Sequence, residues 1–293
     1  MTARVIYACG QGVHDAGLQR LSTVGTVLFA TLLIAACASS TPAKQQNAAV
    51  NAAQTIERRA AQSYVQGDMQ TAASGYASAA LVYESLVLAE PLARARLNEA
   101  RVLGEAGQSE RALQLVDAVL APSAAYAPLG ADTLVLAHGR AAALQLALND
   151  TGKAQTHWQS AQTACANTCG SQAALWVLRS RIDLAQNNAA AAAQNASTAL
   201  ALTAIAGNTE QANALRARAQ AQAALGQHAG TAADANAALT LDQQAGSASK
   251  VGMDLDLLAA AYQALGDTAQ AQRYTQLAQR ARSAAVALQR GAP

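Results

Sequence analysis

Apolar residues along this chain recur at helical spacing, and the stretches they form are broken at nearly even intervals by one kind of turn signal. Gly67, Gly107, Asn149, Asn187, Gly226 and Gly266 follow one another at intervals of 40, 42, 38, 39 and 40 residues. Glycine and asparagine are the residues that most readily take the left-handed conformation that ends a helix. A polar residue able to cap or begin a following helix comes directly after each of them: Asp68, Gln108, Asp150, Asn188, Gln227 and Asp267. The pattern predicts six helical hairpins joined by breaker-rich links at Glu90-Pro91, 121–130, 165–170, 207–208 and 244–252.

A second pattern is tied to those turns. Seven residues before each stands a small side chain, Ala60, Ala100, Ala142, Ser180, Ala219 and Ala259. Five after it come Ala72, Ala112, Ala154, Ala192, Thr231 and Ala271, and twelve after it Ala79, Val119, Ala161, Ala199, Ala238 and Ala278. Small residues facing one another let two helix axes approach near the short end of the usual ~8–10 Å range. Composition agrees: alanine supplies 80 of the 293 residues and aromatic residues only 3%. Alanine is the best helix former, and residues that suit a pleated surface are sparse, so an all-α fold with almost no strand is expected.

These positions resemble the tetratricopeptide repeat family, which places a small residue in a first helix, a Gly-Asp-like turn, and then Ala, a bulky residue and Ala in a second helix. Gly67-Asp68-Met69 with Ala72, Tyr76 and Ala79 matches that order, as does Leu258-Ala259 with Tyr262, Gly266-Asp267 and Ala271. The bulky position holds Tyr76, Val116 and Trp158 in the first three copies but Ala196, Ala235 and Thr275 in the last three. The period also exceeds the family's ~34 residues, which implies longer helices or links. The resemblance implies a right-handed solenoid of about six antiparallel hairpins over residues 49–290. Its first helices would line a concave groove that takes an extended or helical segment of a partner protein. In this register the groove is lined by Glu57, Tyr64, Arg94, Arg101, Arg181, Arg216, Gln220, Asp256 and Gln263. Arg94, Arg101, Arg181 and Arg216 are the candidate partner-binding residues, because guanidinium groups grip an acidic peptide or a free carboxylate in paired hydrogen bonds.

The start of the chain reads differently. Residues 21–36 form an uncharged, largely apolar run after Arg20, shorter than the ~20 apolar residues that cross a bilayer. Basic start, short apolar core and small-residue exit make a secretory signal over residues 1–36. Ile34-Ala35-Ala36-Cys37 resembles the lipobox of bacterial lipoproteins. That resemblance implies that Cys37 is lipidated and becomes the first mature residue, with 37–48 as a flexible tether. Acyl chains contribute ~0.8 kcal/mol per buried methylene, enough together for a lasting membrane anchor. Ala38 rather than aspartate after the cysteine implies delivery to the periplasmic face of the outer membrane of a Gram-negative bacterium.

Chemistry beyond binding finds little support. The net charge is +2 with both signs mixed along every segment, which excludes the basic stripe of a nucleic-acid binder. Cys165 and Cys169 remain as a pair and are expected to close a small disulfide in an oxidising compartment. A metal site would add His157 but lacks a fourth ligand, so neither metal nor cofactor is expected. His14, His138, His157 and His228 are scattered, with no catalytic triad or paired carboxylate. The expectation is a non-enzymatic envelope scaffold for assembly of a secretion, pilus or other envelope complex. A cell-wall-remodelling enzyme or its activator is the alternative.

Overall fold

The computed structural model describes residues 42–121, 126–166 and 169–289; the expected signal segment and Cys37 lie outside the described residues. Twelve helices and no strand are found among the described residues. The first six are α1 (Pro42–Val65), α2 (Met69–Ser85), α3 (Ala89–Glu105), α4 (Ser109–Leu120), α5 (Ala131–Ala147) and α6 (Thr151–Cys165). They are followed by α7 (Gln172–Ala185), α8 (Ala189–Ala206), α9 (Asn208–Ala224), α10 (His228–Gln244), α11 (Ala248–Ala264) and α12 (Thr268–Gln289).

All six turn residues adopt the left-handed conformation, from φ 60° at Asn187 to φ 84° at Gly67. At the first turn the Asp68 amide donates to the Ser63 carbonyl at 2.9 Å and the Gly67 amide to Tyr64 at 3.0 Å, the paired closure that satisfies the last carbonyls of a helix. The residue after the turn then caps the next helix with its side chain in four of the six hairpins, while Gln108 and Gln227 make no such bond. Asp68 accepts from the Thr71 amide at 3.0 Å, Asp150 from Lys153 at 2.9 Å and Asp267 from Gln270 at 3.0 Å. One polar residue thus stops solvent from competing for the first turn of the second helix.

Links between hairpins are tighter than the breaker residues imply. The chain reverses at Val87 (φ 55°), so Glu90 and Pro91 fall in the first turn of α3 rather than between helices. Proline is tolerated there because the first-turn amides lack helical partners. The expected link at 244–252 narrows to residues 245–247, with Gly246 at φ 68°, and Gly252 is buried inside α11. At the other end α1 starts at Pro42, within the stretch expected to be tether.

Packing follows the small-residue pattern. Ala72, Ala112, Ala154 and Ala192 are wholly buried, as are Ala100, Ala142 and Ala219 on the facing helices. Contact is so close that a methyl group placed on Gly75 of α2 would stand 2.8 Å from Ala60 Cβ of α1. Each helix packs on the next in sequence, and α3 also touches α5, α5 touches α7, α7 touches α9 and α9 touches α11. No comparable contact joins two even-numbered helices. Odd helices crowd together while even ones splay apart, so the stack curves with the odd helices inside. The end of α1 comes near the α10–α11 turn, since a methyl group placed on Gly246 would stand 3.8 Å from Val65 Cγ1.

Candidate functional site: the concave face of the odd helices

Tyr64, at the end of α1, shares its one hydroxyl hydrogen with the Glu105 carboxylate at the end of α3, whose two oxygens stand 2.8 and 2.9 Å away. One turn back on α3, the Arg101 guanidinium lies over the Tyr64 ring, 4.2 Å from its centre, a cation–π contact. Burial first, and then the Glu105 charge, push the Tyr64 phenol up to about 12, so it stays a donor across the physiological range.

The next odd helix adds Arg140. Burial first, and then the neighbouring Arg101 charge, bring its pKa down to about 10 against the opposing pull of Glu105 and Tyr64. Its Nε, like that of Arg101, is buried with no hydrogen-bond partner among the described residues. From α7, Arg181 faces the same carboxylate; burial lowers its pKa and Glu105 works against that, while the side chain keeps access to solvent. Lys250, near the start of α11, also feels the Glu105 charge. Burial depresses its ammonium, and Asp242, Glu105 and Glu210 oppose that shift. Its Nζ donates to Asn213 Oδ1 at 3.1 Å. Arg140 of α5, Arg181 of α7 and Lys250 of α11 thus all feel the Glu105 charge, on a face where Glu105 and Arg181 themselves are exposed.

The four arginines expected to bind a partner separate in the structure. Arg101 and Arg181 belong to this cationic face. Arg94, about two helical turns before Arg101, is exposed at 59% of its side chain and stands 4.0 Å from Glu90. It borders a different cavity of about 660 Å³ whose lining includes Glu57, Tyr83, Glu90 and Asp132. Arg216 is a correction to the expected groove: it is 7% exposed and occupied internally. Its guanidinium donates to Asp254 at 2.7 and 3.2 Å and to Asp242, tying α9 to α10 and α11. Burial pushes the Asp254 carboxyl up to about 6 against the pull of Arg216. Of the other expected lining residues, Gln220 and Gln263 are exposed, Asp256 pairs with Arg282 at 2.6 Å, and Glu57 accepts from the Tyr83 hydroxyl at 2.8 Å.

Arg140 and Lys250 were not among the sequence candidates. Arg140 carried a readable signal, since it lies 39 residues after Arg101 and 41 before Arg181, one repeat in each direction. Measured from the turns it sits one helical turn earlier than they do, which hid it. Lys250 has no such signal, because only the approach of the α10–α11 turn to the end of α1 brings it within the field of Glu105.

Away from this face, Cys165 and Cys169 are bonded, with Cα atoms 5.0 Å apart, at the end of α6. His138 of α5 and His157 of α6 meet with Nδ1 atoms 3.2 Å apart. Among the described residues no group of three or more His, Cys, Asp or Glu is placed to hold a metal ion, and no helix is long and apolar enough to cross a membrane.

The backbone is similar to solved repeat proteins. Against the crystal structure of BtubC (BKLC) from P. vanneervenii the TM-score is 0.54, with 16% identity over 82% of this chain and 91% of that one. A Podosopora anserina kinesin light chain with nearly identical TPR-like repeats gives 0.46, with 18% identity over 65% of this chain and 94% of that one. The TPR2AB-domain:pHSP90 complex of yeast Sti1 gives 0.32, with 16% identity over 79% of this chain and 98% of that one. At these identities the likeness to BtubC concerns the fold alone, a solenoid of helical hairpins. No protein-family model and no curated protein matches the chain.

Proposed function

We propose that this solenoid is an adaptor of the bacterial envelope, held on the periplasmic face of the outer membrane through a lipid on Cys37, which captures an acidic segment of a partner protein in its concave face. The observation that carries the reading is the cationic face itself. Stacked hairpins offer a continuous inner surface for recognition, and on this one a half-buried Arg101 on α3 and an exposed Arg181 on α7 accompany a carboxylate, Glu105, already committed to Tyr64. Of these, Arg101 gains more from an incoming carboxylate than an exposed cation would, because less water screens the pair.

The test is affinity capture from envelope extract with the wild type and with Arg101→Glu combined with Arg181→Glu. The double reversal is expected to weaken capture at least tenfold while leaving the helical spectrum and melting temperature near those of the wild type. Cys37→Ser, tested alongside, is expected to lose membrane attachment yet retain capture. Capture that ignores the double reversal contradicts the binding face; membrane attachment of Cys37→Ser that resists high salt contradicts the anchor.

A further inference from the structure

Asp242 of α10 and Asp254 of α11 are both buried, 1% and 0% exposed, against a single guanidinium. Arg216 of α9 donates from Nε and Nη2 to Asp254 at 2.7 and 3.2 Å, and the same Nη2 also donates to Asp242. In the other ion pairs among the described residues each arginine serves one carboxylate. Asp183, equally buried, has Arg179 to itself and accepts a further bond from Asn195 at 2.6 Å. The shared guanidinium leaves the Asp242–Asp254 pair one charge and one hydrogen short.

The missing hydrogen shows at Asp242 Oδ1, which is buried with no partner among the described residues. The missing charge shows in the surroundings, because no second cation stands within ion-pair distance of either carboxylate among those residues. Lys250, one turn earlier on α11, donates its Nζ to Asn213 Oδ1 at 3.1 Å, an oxygen that also accepts from Arg216 Nη1 at 3.2 Å. Glu210 of α9 acts on Lys250 rather than on Asp254, and on α12 Arg282 is taken by Asp256 at 2.6 Å. Two buried carboxyls with one countercharge do not both ionise readily, and an unmatched buried charge is costly. One proton removes both deficits. It cancels the surplus charge, and the neutral carboxyl donates to its neighbour, which lies within hydrogen-bonding reach.

We infer that Asp242 and Asp254 hold one proton between them in the folded chain and form, with Arg216, a proton-dependent clasp that draws α9, α10 and α11 together. Burial raises the Asp254 carboxyl from 3.8 to about 6, with Arg216 opposing the rise and Asp242 assisting it. A folded value above the unfolded one makes the stabilisation full below pH 3.8 and lost as pH rises through about 6. Acidification therefore closes the clasp, and neutral pH loosens it.

The test compares the full-length wild type with Asp254→Asn, whose amide copies the shape of the protonated carboxyl, so that every other titrating group is held constant. Both are unfolded in urea from about pH 4 to about pH 8, and hydrogen exchange of the α9–α11 amides is followed alongside. The variant is expected to be the more stable at about pH 8. The two should converge on acidification, their folding constants closing by about tenfold per pH unit inside the window. Exchange in α9–α11 should slow on acidification, beyond the intrinsic effect of pH, in the wild type alone. An ordinary ion pair has the opposite sign: a variant less stable than the wild type at about pH 8 overturns the clasp, as does a gap that pH leaves unchanged. Should Asp254→Asn fail to fold, Asp242→Asn carries the same expectation, since the proton belongs to the pair. Carbon NMR of the wild type needs no variant: one aspartate carboxyl titrating near 6 supports the clasp, and none above the ordinary aspartate range overturns it.

Discussion

Two imidazoles whose Nδ1 atoms stand 3.2 Å apart share a single hydrogen between them, so His138 and His157 are matched only while at least one is neutral. Burial lowers the pKa of both; the His157 charge lowers His138 further, and Asp117 partly offsets the shift at His157. Folded values below those of the unfolded chain mean that this pair contributes stability above about pH 6.5, lost as pH falls through the folded values. A proton NMR titration is expected to show both rings titrating below 6.5, and a ring titrating at or above that value would contradict the packing of α5 on α6. Residue-level features were legible in proportion to their locality. The six left-handed turns and the four side-chain caps at Asp68, Asp150, Asn188 and Asp267 depend on neighbours within a few positions, and could be read as Gly or Asn, followed in those four hairpins by Asp or Asn. Arg216 could not, because the aspartates that claim it lie 26 and 38 residues further on and meet it only after α9, α10 and α11 have stacked.

Helices here meet through methyl groups, so distance of approach rather than bulk decides their stability. Gly75 marks the closest approach of α1 and α2, and a Cβ there would collide with Ala60 Cβ at 2.8 Å. Gly75→Ala gains helix propensity of about 1 kcal/mol. Overpacking costs typically about 1–3 kcal/mol, and the colliding atom belongs to a short side chain fixed to backbone that cannot rotate away. The net expectation is destabilisation, read in urea as a lower midpoint with unchanged slope, and largely reversed by adding Ala60→Gly. A midpoint at or above that of the wild type would show the two helices lie further apart. Element order and hairpin pairing could be read from the sequence because the turn spacing is regular. Link positions could not, since Pro91 signals a break yet also fits a first turn, and Val87 reverses the chain without a glycine.

The described residues form a curved stack whose odd helices make the inner surface and whose α10–α11 turn comes near the end of α1. That approach cannot be inferred from any single repeat, since it is the sum of small rotations accumulated over five hairpins. It brings Lys250 within the field of Glu105. Arg94 belongs to the wider cavity near the starts of α3 and α5, so the inner face is divided into an arginine-rich zone and a mixed zone lined by Glu57, Glu90 and Asp132. The most direct test of the central claim, that the inner face recognises a partner, is site-specific photo-crosslinking in cells. A crosslinking residue is placed at Gln220, exposed on α9 of the inner face, or at Ser78, exposed on α2 of the outer face. A discrete protein adduct from position 220 that is absent from position 78, and lost when Arg101→Glu and Arg181→Glu are added, is the expected result. An adduct from position 78 alone, or one from position 220 that persists with both arginines reversed, would contradict the account.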